Sequence, residues 1–86
     1  WITSGRSDEC REETLRWLHR HGVQFDRLIM RPAGDHIDDG ILKPSWIERG
    51  IIPRHRVAFA LDDRDRVVDA WRALGIPCFQ VAPGNF

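Results

Sequence analysis

The sequence predicts an α/β domain built on a largely parallel sheet with flanking helices. Short apolar runs alternate with amphipathic stretches, and glycines stand where each helical periodicity stops. The most telling run is Val57 to Leu61, five apolar residues leading straight into the adjacent carboxylates Asp62 and Asp63. A run this short, bounded by charge, suits a strand covered on both faces, as parallel sheets provide. Open parallel sheets take their ligands at the carboxyl ends of their strands, where Asp62 and Asp63 fall. The competing reading of Asp62 is a cap for the helix that follows.

Taken in order, Trp1-Ile2-Thr3 reads as the end of an apolar strand, so the chain is expected to begin inside a domain. Ser4-Gly5-Arg6 is expected to turn, Gly5 allowing a ligand close to the backbone. Ser7 and Asp8 cap a helix running to about His21, with Glu9, Glu12 and Glu13 early and Arg16, Arg20 and His21 late, as the helix dipole favours. Thr14, Leu15 and Leu18, with Cys10 or Trp17, form its inner face, and Gly22 ends it. A second strand is predicted over Phe25 to Met30, then a turn from Arg31 to Asp35 and a polar surface loop from Asp35 to Gly40. Pro44 fits the first turn of a helix, which puts Lys43 at its N-terminal end; Trp46 and Ile47 pack that helix and Gly50 stops it. The strand Val57 to Leu61 follows. Val67, Val68, Trp71 and Leu74 recur at helical spacing, so 65–74 is a helix with Gly75 as its stop, and 77–81 is a last strand before a short tail. With crossovers of the usual right hand, these elements make one small domain.

At 86 residues with formal charge zero, the chain carries no global field toward nucleic acid or a membrane. No apolar stretch approaches the roughly 20 residues that span a bilayer, and no signal peptide precedes the first strand, so a cytoplasmic location is expected. Cys10 and Cys78 lack metal-ligand spacing and read as buried thiols. Of 13 cationic residues only Lys43 is a lysine, which suits a site needing a compact point charge rather than a planar fork.

Three polar clusters fall at predicted strand ends: Ser4-Gly5-Arg6, Arg31 with Lys43, and Asp62-Asp63. In a parallel sheet they would share one edge. A hydroxyl with exposed amides, a cation and paired carboxylates suit magnesium-dependent phosphoryl transfer: Ser4 and Lys43 hold phosphate oxygens, and Asp62 and Asp63 hold Mg2+.

On these residues the sequence resembles the haloacid dehalogenase superfamily, and within it the 3'-phosphatase domain of bacteriophage polynucleotide kinase-phosphatases. Ser4-Gly5-Arg6 is similar to the second superfamily motif, Lys43 to the lysine of the third and 57–64 to the fourth. Asp39 and Arg31 fall where the phage family has an aspartate and an arginine. Val67 to Arg72, Gly75, Cys78, Gln80-Val81-Ala82 and Gly84 to Phe86 resemble the family's C-terminus. The resemblance implies a Rossmann-like fold of haloacid dehalogenase type and a phosphomonoesterase acting on DNA or RNA 3'-phosphate ends. It implies catalytic roles for Ser4, Lys43, Asp62 and Asp63, with Asp62 and Asp63 as metal ligands. It gives Arg6, Arg31 and Asp39 substrate-binding roles, Asp39 by orienting Lys43 or Arg31.

One departure outweighs the matches. The first motif, Asp-x-Asp-Gly-Thr, is absent, and with it the nucleophile that forms the aspartyl-phosphate and the general acid and base. Asp63-Arg64-Asp65 follows an apolar run but has no Gly-Thr after it, and its flanks match the fourth motif. The absent strand is the central one in that fold, between the strands ending at Thr3 and Leu61, so the sheet is expected to be incomplete, with open edges. Residues 1–86 are therefore expected to be the C-terminal part of a phosphatase domain. An upstream segment would supply the nucleophile, with a fused P-loop kinase as a further expectation, and the fragment alone would be inactive. Two alternatives stand beside this reading: a phosphatase of the same superfamily acting on small metabolites, and a noncatalytic α/β docking module.

Other features have plainer readings. His19 and His21 point apart on a helix and do not form a metal pair. Trp17, Trp46 and Trp71 are expected in the core rather than as base-stacking platforms. Arg54-His55-Arg56 reads as a solvated loop, and the aspartates of 35–39 lack a calcium-loop pattern.

Overall fold

The computed structural model describes residues 1–86. They divide into two compact units, Trp1–His36 and Ile37–Phe86, each described by itself.

In the first unit, β1 (Ile2–Ser7) pairs in parallel with β2 (Leu28–Arg31), and α1 (Arg11–Arg20) lies between them in sequence. Leu18 of α1 buries against Leu28 and Met30, with Ile2, Leu15 and Phe25 packed around them. The helix enters through a short 3-10 turn, Asp8–Cys10, capped by the Ser7 hydroxyl, which accepts from the Glu9 amide at 3.2 Å. Gly22 takes a positive φ of 67° just past the helix end, a conformation open to a residue without Cβ.

Several expected boundaries move. Ser4-Gly5-Arg6 is not a turn but part of β1, whose register slips between Ser4 and Ser7. The extra backbone at that bulge is held locally: the Ser4 hydroxyl accepts from the Arg6 amide at 3.1 Å, and Arg31 Nε donates to the Gly5 carbonyl at 2.7 Å. β2 starts at Leu28 rather than Phe25. Trp17, expected in the core, is 54% exposed. It stacks on His21 at 4.1 Å between ring centroids, because it lies one position from the buried stripe of Thr14 and Leu18.

In the second unit, β3 (Ala60–Asp62) pairs in parallel with β4 (Cys78–Gln80), and α2 (Asp39–Glu48) packs on α3 (Asp65–Ala73), which in turn packs on both strands. Leu42, Trp46, Val67, Val68, Trp71 and Ile76 are its buried apolar residues along with smaller contributors. Burying these side chains, the two tryptophans above all, removes apolar surface from water, the main favourable contribution to folding. α2 begins inside the segment expected to be loop, because the Asp38 side chain caps it by accepting from the Gly40 amide at 2.8 Å. Pro44 consequently lies inside the helix instead of in its first turn, and Lys43 sits one turn in rather than at its start.

The expectation of a strand covered on both faces fails for β3. Leu61 and Phe79 are register partners and are 61% and 59% exposed, beside Phe59 and Val81. Ala60, Asp62 and Cys78 face the opposite way, toward α3, as the two-residue period of a strand requires. β3 is also shorter than expected, Val57 to Phe59 lying outside the ladder. No helix is long and apolar enough to cross a membrane.

Candidate active site

The Asp38 cap fixes the phase of α2, so Asp39 and Lys43, four residues apart, share one face. That face is tied to the carboxyl end of β3 by ion pairs. Lys43 Nζ donates to Asp62 Oδ2 at 2.8 Å, and Arg64 Nη1 donates to Asp39 Oδ2 at 2.7 Å. The Lys43 and Asp62 side chains are only 11% and 8% exposed, which gives the solitary lysine a role: its slender stem brings a point charge to a buried carboxylate. A more exposed pair, Arg66 with Asp38 at 2.9 Å, flanks the helix start.

Asp62 has further partners. Its Oδ1 accepts the Asp63 amide at 3.0 Å, and its Oδ2 also accepts the Trp71 indole N–H at 3.4 Å. The helix-cap reading of Asp62 fails, since Arg64 occupies the N-cap position of α3 and no side chain caps it. Burial alone would raise the Asp62 pKa, but hydrogen bonding and charge from Lys43, with the Trp71 and Asp63 donors, outweigh it and hold it below the ordinary 3.8. Because the folded value lies below the unfolded one, this contribution to stability is complete above about pH 3.8 and is lost as pH falls through the folded value. Acid-unfolding curves of the full-length protein and its Asp62→Asn variant are expected to converge in that acid range and separate above it. Burial first, and then the Asp62 charge, push the nearby Cys78 thiol up.

The loop carrying the acid pair is fixed from behind. Gln80 Nε2 donates to the Asp63 carbonyl at 2.9 Å and to Asp65 Oδ1 at 2.6 Å. The tail closes over the same loop: the Asp65 amide donates to the Gly84 carbonyl at 2.6 Å, and the Arg64 guanidinium lies 4.9 Å from the Phe86 ring centroid. The Asp63 side chain itself is exposed.

Ser4, Arg6 and Arg31 belong to the first unit, and Asp39, Lys43, Asp62 and Asp63 to the second. Within the first, Arg31 supports the β1 bulge through the Gly5 carbonyl and lies 3.9 Å from Asp35 Oδ1, while Arg6 is exposed. Within the second, Lys43, Asp62 and Asp63 form one hydrogen-bonded group, and Asp39 meets Arg64, a residue that sequence reasoning missed. Nothing in its spacing sets Arg64 apart from the other arginines. Trp71 was legible only as a packing residue, since its indole donor faces Asp62 only once α3 is folded.

The donor set bears on a metal. No group of three or more histidine, cysteine or acidic side chains is positioned to hold one, and Asp62 and Asp63 are two adjacent carboxylates at the end of β3. Magnesium commonly takes one or two carboxylates and completes its shell with waters and phosphate oxygens, so the pair fits.

Over residues 1–86 the chain matches the family model described as the polynucleotide kinase PNKP phosphatase domain. It is 35% identical over 75 residues to a protein of Autographa californica nuclear polyhedrosis virus named as a bifunctional polynucleotide kinase/RNA ligase, covering 86% of this chain and 11% of that protein. A solved structure of the Pnkp1/Rnl/Hen1 RNA repair complex contains a chain similar at a TM-score of 0.90 and 42% identity, over 98% of this chain and 27% of that one. A second structure of a Pnkp1/Rnl/Hen1 complex gives a TM-score of 0.89 at 42% identity, over 98% of this chain and 30% of the other. The chain thus spans less than a third of the length of each of these relatives.

Proposed function

We propose a function from a premise that the match over residues 1–86 establishes: the chain belongs to the polynucleotide kinase PNKP phosphatase domain family. It is the C-terminal part of a phosphatase domain that removes 3'-phosphates from nucleic-acid ends with magnesium, and RNA ends are its first candidate substrate. The observation that carries this reading is the buried Lys43–Asp62 pair at the end of β3, beside the exposed Asp63 carboxylate.

Asp62 and Asp63 would hold the cation, with Asp63 as ligand or as partner to a bound water. The bound cation supplies neutralisation of charge on the phosphoryl oxygens. Lys43 has three N–H donors, so with one directed at Asp62 the others remain for phosphate oxygens. In the first unit, taken by itself, the Ser4 hydroxyl is proposed to bind phosphate, and Arg6 and Arg31 to contact substrate. Asp39 acts through Arg64, whose pairing holds the Lys43-bearing face of α2 against the acid loop. The nucleophilic carboxylate of the family's first motif is not among these residues, and an upstream segment of the polypeptide supplies it. The relatives' names support a kinase or ligase in the same polypeptide or assembly.

The test is phosphate release by the full-length protein from an RNA oligonucleotide bearing a 3'-phosphate, compared with a sugar phosphate, with and without magnesium. Magnesium-dependent release is expected with kcat/KM at least roughly tenfold higher for the oligonucleotide, a modest discrimination for a site that contacts neighbouring nucleotides. Equal turnover of both would favour the metabolite phosphatase, and turnover of neither a docking module.

A further inference from the structure

The two Asp62 oxygens are held by donors from different elements. Oδ1 takes the amide of Asp63 in the loop after β3, and Oδ2 takes Lys43 Nζ from α2 and Trp71 Nε1 from α3. These donors differ in kind. The ammonium rides on a flexible stem and is the group a phosphate would attract. The indole N–H is neutral and rigid, on a ring only 4% exposed whose helix also buries Val67 and Val68. A buried indole N–H requires an acceptor, and no buried side-chain polar atom lacks a partner. Ring position and carboxylate orientation are therefore coupled. The terminal torsion of an aspartate is broad, and with Lys43 drawn away it is set by one donor on each oxygen, the Asp63 amide at 3.0 Å on Oδ1 and the Trp71 indole at 3.4 Å on Oδ2.

We propose that Trp71 is a positioning residue: its indole N–H holds Oδ2 while the Asp63 amide holds Oδ1, so that Asp62 keeps one orientation when Lys43 is drawn toward a phosphate. Its consequence for the cation rests on the reading of Asp62 as a metal ligand. Trp71→Phe removes the donor while keeping a smaller aromatic ring, so it lowers packing as well as deleting the N–H, and the readout must separate the two.

Two measurements on the full-length protein labelled with 15N decide the matter. The indole resonance that disappears in Trp71→Phe identifies Trp71, and that resonance is expected to shift in Asp62→Asn while those of the other tryptophans stay. An unmoved Trp71 resonance would overturn the coupling. Magnesium is then titrated without substrate, following the Asp63 amide, and Trp71→Phe is expected to weaken binding roughly tenfold, as loss of a group orienting a metal ligand does. Equal affinity in both proteins would overturn the positioning role, whereas a ring affecting only packing would lower the melting temperature and leave that affinity unchanged. Should Trp71→Phe lose its dispersed spectrum, the Trp71 indole is identified instead by its NOE contacts to its own backbone amide, and its shift in Asp62→Asn and its magnesium response in the wild-type protein still decide. Neither readout involves phosphate release, so an enzyme inactive on 3'-phosphates would refute the phosphatase reading alone.

Discussion

Asp62→Asn is expected to lower magnesium-dependent release of phosphate from a 3'-phosphorylated oligonucleotide by roughly 10²–10³-fold in the full-length protein, the usual scale for losing one group that stabilises transition-state charge. The substitution keeps the shape of the side chain, and its amide oxygen can still accept from Lys43. What disappears is the negative charge that answers Lys43 and would hold the cation. The protein should therefore still fold, at a cost of roughly 1–3 kcal/mol for a weakened buried hydrogen-bonded group. Asp62→Ala is a different experiment: it leaves the Lys43 ammonium, 11% exposed, without its anion, a change that costs about 3–5 kcal/mol. Steady-state kinetics beside urea unfolding separates the two variants. Near-normal turnover in a folded Asp62→Asn protein would remove Asp62 from the chemistry.

Among the glycines described, Gly84→Ala is expected to give the largest structural penalty. A Cβ at Gly84 would collide with the Asp63 carbonyl oxygen and stand 2.9 Å from the Arg64 Cα. Both obstacles are backbone, and the same carbonyl is held by Gln80, so no flexible side chain can swing aside. Either the tail leaves the loop, breaking the bond from the Asp65 amide to the Gly84 carbonyl, or the acid loop shifts. Overpacking of this kind costs about 1–3 kcal/mol or more. Because Asp63 follows Asp62 directly, phosphatase activity should fall together with stability. Hydrogen exchange at the Asp65 amide checks the structural half, and unchanged protection there would refute the tail's role.

The helices were legible because their signals are local. Apolar spacing and stop glycines placed α1 and α3 to within a few residues, and the parallel pairing followed from strand–helix alternation. The errors share a cause: a contact distant in sequence outranked a local preference. Ser4-Gly5-Arg6 reads as a turn by composition, yet pairing with β2 and the Arg31 bond to Gly5 keep it in a strand. Pro44 favours a helix start, but the Asp38 cap begins α2 earlier. In the site, Lys43, Asp62 and Asp63 could be named from residue type and position. Arg64 and Trp71 could not, because an arginine's partner across 25 residues and an indole's acceptor exist only in three dimensions.

Strand pairing also bears on how the chain acquires its structure. Every ladder closes inside its own unit: Ile2 meets Leu28 in one and Ala60 meets Cys78 in the other. The entropy lost in closing a loop grows only with the logarithm of its length, so these two closures differ by about 0.3 kcal/mol. Neither sheet awaits a strand from the other unit before it can form, and neither starts with a clear entropic advantage. Their nuclei can therefore arise in parallel, in either order, and the Lys43–Asp62 and Arg64–Asp39 pairs depend on the second unit alone.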